Sequence, residues 1–350
     1  MTAINISFLL LLLILAVRSH QRTVQGEQEC TLVTHEGEES KGVLVPADQC
    51  TTFREQPENK DLRPTHPVCC AVFQSDQTCG RLSQYADEFS FDSRETQLDQ
   101  FPWAAMVLLR RVQKLVCSGS LIASRFVLSA AHCFVDVRGT SKPATDYRVR
   151  LGDWDLELDE DCLYVRGQLV CNEQQPVDYA VERIISHGDF QRQRRDFLHD
   201  IALLKLAEAV EYGAQIGPAC LPNWNVGVPL IAGQKFTVFG WGRTRSYSGV
   251  RRKYKIEMPG RNISACVRAY GLRAPEVPRI HLCVGGVYRK DVCHGDSGGA
   301  LMRRESNRWV QEGIRANFSP PGTLDQSCIG SQISHAVCTA ATRFRFAPDM

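Results

Sequence analysis

The chain has 350 residues, 43% of them hydrophobic, with 41 basic and 39 acidic side chains that leave a net charge of +2. That length allows two or three folded units, and the near balance of charge argues against a nucleic-acid binder, which carries a strongly basic face. Two local basic runs, Arg192, Arg194 and Arg195, then Arg251, Arg252, Lys253 and Lys255, read as solvated loops, with an anionic-surface contact as the sharper alternative.

Taken in order, the chain opens on an apolar run, Ile6 to Val17, broken by Arg18 and His20. A membrane-spanning helix needs about 20 residues, so the run is too short to span. Its position and the small Ser19 suit a secretory signal over 1–19, although no Lys or Arg precedes it. A secreted, extracellular protein without a membrane span is expected. The 15 cysteines fit an oxidising compartment and read as a disulfide framework with at least one thiol left over. With no C-x-x-C pair, neither a metal site nor another cofactor is expected.

Residues 30–70 hold Cys30, Cys50, Cys69 and Cys70 in a polar segment of weak periodicity. So short a segment buries little core and needs covalent staples. Residues 71–100 are polar and acidic (Asp87, Glu88, Asp92, Glu95, Asp99) and read as a linker. From Phe101 onward short apolar runs recur between turns: AAMVLL, LIASRFVLSA, DIALLKL and FTVFGWG. Runs of this length, rich in Val, Ile and Phe, predict an all-β domain. Asn262-Ile-Ser264 is an N-glycosylation acceptor, and Asn317-Phe-Ser319 a weaker one because Pro320 follows.

Three stretches within this domain carry chemistry together: Leu128–Cys133 (LSAAHC), His199–Leu206 (HDIALLKL) and Cys293–Leu301 (CHGDSGGAL). Alone, each reads as a structural histidine, a turn aspartate or a Gly-rich turn. Together they supply a nucleophile, a base and an orienting acid. A serine hydroxyl is a weak nucleophile at neutral pH and needs a base within hydrogen-bond reach. His132 would take the proton from Ser297, and Asp200 would fix the tautomer of His132. Gly295 would let its own N–H and that of Ser297 face a developing oxyanion.

These motifs, in this order, resemble the chymotrypsin-trypsin family of serine proteases. The resemblance runs from about Phe101 to Thr339 within a domain set at 101–345, and it implies two six-stranded antiparallel β-barrels with the triad between them. It places Asp291, six residues before Ser297, at the base of a pocket for Arg or Lys. The segment before it resembles an arthropod clip domain, through the adjacent Cys69-Cys70 and Val45-Pro46 ahead of Cys50. Four cysteines stand where that module has six, and the missing two bond to each other in the family. The resemblance implies the pairs Cys30–Cys69, Cys50–Cys70, Cys79–Cys220, Cys117–Cys133, Cys162–Cys171, Cys266–Cys283 and Cys293–Cys328, with Cys338 unpaired.

The same resemblance marks three departures. Where the family has a basic residue and Ile-Val-Gly-Gly, this chain has Phe89, Ser90, Phe91, Asp92 and Ser93. Cleavage there normally frees an ammonium that pairs with the acid before the serine, here Asp296, so Asp296 is expected to lack that usual partner. At the pocket wall stand Ala316, Asn317 and Phe318, and Phe318 (or, one position on, Ser319) occupies a place the family keeps open. The last strand reads His335-AVCT-Thr339, and the sequence reaches Met350 where the family has a final helix. Two functions follow: a weakly active or inactive regulatory homologue in an extracellular immune, melanisation or developmental cascade, or an endopeptidase cleaving after Arg or Lys once activated atypically. Its expected partners are other extracellular proteases, their substrates or their inhibitors.

Overall fold

The computed structural model describes residues 29–33, 39–46, 65, 67–71, 75–82, 95–165, 167–191, 198–222, 233–242, 251–270, 281–288, 296–315 and 333–340. Two compact units divide the chain near Phe73 and Gln74.

In the first unit, β1 (Glu29–Val33), β2 (Glu39–Pro46) and β3 (Pro67–Ala71) form a three-stranded antiparallel sheet. Cys30 and Cys69 join its two outer strands in a disulfide. Cys50 lies outside the described residues, and with it the expected Cys50–Cys70 pair.

The second unit holds two closed six-stranded barrels. The first is built from β4 (Ala104–Leu109), β5 (Lys114–Ala123), β6 (Phe126–Ser129), β7 (Tyr147–Leu151), β10 (Val177–Ser186) and β11 (Ala202–Leu206), in the order β10-β11-β6-β5-β4-β7. In β7, Tyr147, Val149 and Leu151 point inward while Arg148 and Arg150 are half-exposed, the period-two pattern of a strand with one wet face. Val107, Leu121, Val127, Val149, Leu151 and Leu204 are fully buried inside this barrel. Between β7 and β10 a hairpin, β8 (Cys162–Val165) with β9 (Gln168–Cys171), is closed by the Cys162–Cys171 disulfide.

The second barrel runs β12-β13-β14-β17-β16-β15, from β12 (Lys235–Gly240), β13 (Tyr254–Arg261), β14 (His281–Tyr288), β15 (Ala300–Glu305), β16 (Arg308–Arg315) and β17 (Ile333–Ala340). Phe236, Val238, Met258, Leu282, Val284 and Leu301 form its core. The altered carboxyl-terminal sequence keeps its strand: β17 pairs with β14 and with β16, Cys338 standing opposite Leu282 and Arg315. The helix α1 (Ile263–Tyr270) is tied to β14 by Cys266–Cys283. Phe101 is fully buried, stacked on Phe239 at 4.5 Å and edge-on to Trp309 at 5.2 Å. Among the described residues no helix is long and apolar enough to cross a membrane.

Both described ends of the acidic segment at 71–100 pack into this unit rather than lying free. Cys79 bonds to Cys220, and Gly80 donates its N–H to the Pro218 carbonyl at 2.8 Å and accepts from Trp309 N–H at 2.8 Å. Thr96, Leu98, Asp99 and Gln100 are buried. Composition misleads here because backbone pairing, which composition does not report, anchors them: Thr96 N–H donates to the Lys253 carbonyl at 3.0 Å. The basic run at 251–255 is only partly solvated, Arg251 being exposed and Lys253 buried. Arg251 and Arg252 both pair with the buried Asp155. Lys253 is buried near Asp153, Asp99 and Asp161, and burial pulls its pKa down to about 8. A buried cation is tolerated when acids surround it. Arg192, Arg194 and Arg195 lie outside the described residues.

Candidate active site

His132 sits in a single 3-10 turn, Ala131–Cys133, directly after β6. The Cys117–Cys133 disulfide ties that turn back to β5. Asp200 immediately precedes Ile201 and β11, which pairs with β6, so the sheet itself brings the two loops together. The Asp200 carboxylate is wholly buried. One oxygen accepts the His132 backbone N–H at 2.8 Å, and the other lies 2.7 Å from His132 Nδ1. A carboxylate in that place holds the imidazole with its Nδ1 protonated and Nε2 available to take a proton.

Ser297 lies on a turn between Asp296 and β15 and is buried to 7% exposure. Its carbonyl accepts the Ser118 N–H at 2.7 Å. Gly298 follows at φ +82, and a Cβ there would lie 2.3 Å from Ser129 Oγ and 3.1 Å from Ala130 N. The turn of Ser297 is thus seated on Ser129 and Ala130, three and two residues ahead of His132. The Asp200–His132 pair is the base-and-acid half of a serine acyl-transfer site, and the turn of Ser297 packs against the strand end that leads to His132.

Groups other than a freed amino terminus surround the Asp296 carboxylate. It is 3% exposed, and Gly242 N–H donates to Oδ1 at 2.9 Å. The Tyr254 hydroxyl donates to Oδ2, and Arg315 Nη1 lies 3.6 Å from the same oxygen. Tyr254 and Arg315 carry no local sequence signal for this role, since each reaches Asp296 only through the closure of the second barrel.

His199, beside Asp200, adopts the left-handed conformation at φ +59, uncommon outside glycine. Its ring stacks on His187 with centroids 4.4 Å apart. Burial, then the neighbouring His199, pulls the His187 pKa down to about 4. Its Nδ1 accepts the Asp189 N–H at 3.2 Å, a bond only the neutral ring makes. The folded state therefore excludes a proton that the unfolded state accepts below its ordinary value of 6.5. Stability is fully present above pH 6.5 and falls as pH drops toward 4. Urea titrations at pH 7 and pH 5.5 should show this loss in the natural chain and a smaller one in His187→Asn; equal losses in both would count against it.

The family described as Trypsin matches residues 91–316. The chain belongs to the trypsin family. Phenoloxidase-activating factor 1 of Holotrichia diomphalia is 37% identical over 284 residues, covering 80% of this chain and 74% of that protein. CLIP domain-containing serine protease B15 of Anopheles gambiae is 34% identical, covering 72% of this chain and 68% of that protein. Melanization protease 1 of Drosophila melanogaster is 38% identical, covering 59% of this chain and 52% of that protein. Within the trypsin family these relatives place it among the arthropod clip-domain serine proteases.

Other residues singled out from the trypsin family pattern, Asp291, Gly295, Ala316, Asn317 and Phe318, lie outside the described residues, as do Cys293 and Cys328. Asn262 is described: it is exposed, directly before α1, with Oδ1 accepting the Ser264 N–H at 3.0 Å.

Proposed function

We propose that this trypsin-family chain is a secreted clip-domain protein of an extracellular proteolytic cascade, in immunity, melanisation or development, and that it acts mainly as a regulator with weak or absent cleavage of its own. The observation that carries this reading is the sequence Phe89-Ser-Phe-Asp-Ser93 in place of a basic residue and Ile-Val-Gly-Gly. A member without that site has no activation cleavage to await. In the trypsin family pattern Phe318 (or, one position on, Ser319) falls where a glycine opens the pocket, and a phenylalanine there would be a second obstacle to a long basic side chain. The names of the relatives, a phenoloxidase-activating factor and a melanization protease, support the cascade. In this reading residues 1–19 are a removed signal, 30–70 a clip domain of four cysteines, and Asn262 carries a glycan.

One observation favours the second reading, an endopeptidase acting after Arg or Lys: the Asp200 carboxylate makes both of its bonds to His132 in full. In that case His132 is the base, Asp200 its orienting acid, Ser297 the nucleophile, and Gly295 with Ser297 the oxyanion donors. A fluorophosphonate probe and a panel of Arg and Lys peptides, applied to the secreted protein before and after limited proteolysis, separate the two. Little peptide turnover, together with a change in the rate of an active clip-domain protease when this chain is added, supports regulation. Rapid turnover of Arg peptides overturns it.

A further inference from the structure

We infer that Arg315 and Tyr254 are built-in counter-groups for Asp296, positioning residues that set the backbone before Ser297 without a freed amino terminus. This goes beyond the proposed function and holds whether or not the chain cleaves peptides.

A carboxylate at 3% exposure is costly to bury unless it is paired and hydrogen-bonded. Asp296 has both. Its Oδ1 takes the Gly242 N–H at 2.9 Å. Its Oδ2 takes the Tyr254 hydroxyl and faces the Arg315 guanidinium, an ion pair at 3.6 Å whose side chains are 12% and 4% exposed. The seat is cut closely around the carboxylate. A Cβ on Gly242 would lie 2.5 Å from both oxygens, and one on Gly240 would lie 2.5 Å from Oδ1.

Arg315 also grips the same turn through its backbone. Its carbonyl accepts the Gly298 N–H at 2.9 Å, and its own N–H donates to the Gly299 carbonyl at 2.9 Å. One residue thus ties the carboxylate on one side of Ser297 and the two glycines on the other. Tyr254 is anchored from its own side: it stands opposite Gly240 in the β12–β13 register and bridges to Glu95, near the end of the acidic segment at 71–100.

Asp296 contributes one negative charge and Arg315 one positive, so an added ammonium would enter a seat that already holds a cation. In the trypsin family pattern that ammonium belongs to Ile-Val, which makes the dipeptide Ile-Val a direct probe of the seat.

Two measurements test this, neither of which reads catalysis, so their failure is separate from failure of the proposed function. In a urea-denaturation cycle, Arg315→Gln should lower the unfolding midpoint in the natural background and lose most of that effect beside Asp296→Asn, while Arg315→Lys should restore part of it. In a thermal titration, Ile-Val should leave the natural chain unmoved and raise the midpoint of Arg315→Gln/Tyr254→Phe with rising dipeptide concentration. If that pair does not fold, Arg315→Gln alone carries the titration. Equal loss from Arg315→Gln in both backgrounds, or stabilisation of the natural chain by Ile-Val, overturns the inference.

Discussion

Gly298→Ala should be among the most damaging single-methyl additions in this molecule, costing about 2–5 kcal/mol. Part of that is conformational: at φ +82 a residue with a Cβ pays about 1–2 kcal/mol. The rest is steric. The new methyl would lie 2.3 Å from Ser129 Oγ and 2.4 Å from the Ser118 carbonyl oxygen, and overpacking of this kind costs about 1–3 kcal/mol. Neither neighbour moves freely, because the Ser129 hydroxyl donates to that same carbonyl at 2.8 Å. The turn cannot retreat either, since the Gly298 N–H is bonded to the Arg315 carbonyl. Gly188→Ala is the matched control: no atom lies within 4 Å of its added Cβ, so a change within about 0.5 kcal/mol is expected. Urea unfolding of both variants measures the difference. Similar midpoints for the two would mean that the Ser297 turn is not seated on Ser118 and Ser129 as described.

The second large effect concerns which obstacle limits cleavage. If Arg315 and Tyr254 already hold Asp296, the remaining barrier to an Arg substrate is the pocket wall. Phe318→Gly in the uncut chain should then raise kcat/KM for Arg peptides by about 10- to 100-fold. That corresponds to removing about 1–3 kcal/mol of ring displacement at 1.36 kcal/mol per tenfold. Replacing Phe89–Ser93 with Arg-Ile-Val-Gly-Gly and treating with trypsin should add little on its own. The contrast is sharp, because a missing oxyanion donor is worth about 10²–10³ in rate. A gain of that size from the grafted switch alone would show that Asp296 still awaits an amino terminus. A small fluorophosphonate, which needs no long side chain in the pocket, should label Ser297 equally in the cut and uncut graft.

Much of the architecture is written in local patterns. The alternation in Tyr147–Leu151 and the apolar runs at Ala104–Leu109 and Ala202–Leu206 are strand signals that need no partner to be read. The order of LSAAHC, HDIALLKL and CHGDSGGAL marked His132, Asp200 and Ser297 as candidates for base, acid and nucleophile because each sits in a short, distinctive flank. What the sequence alone determined is therefore the strands, the resemblance to the trypsin family, and the absence of a basic cleavage site at Phe89–Ser93. Only the tertiary structure decided what surrounds Asp296. Tyr254 and Arg315 are 42 residues before and 19 residues after it, and nothing in their own neighbourhoods marks them as its partners. The closed barrel brings them to one carboxylate. The same reason explains the basic run at Arg251–Lys255, which composition places in solvent: the fold buries Lys253 near Asp153 and Asp99 and pairs the partly exposed Arg251 and Arg252 with Asp155. A charge's partner is chosen by pairing across strands distant in sequence, and a burial penalty of several kcal/mol per unpaired ion makes that choice binding.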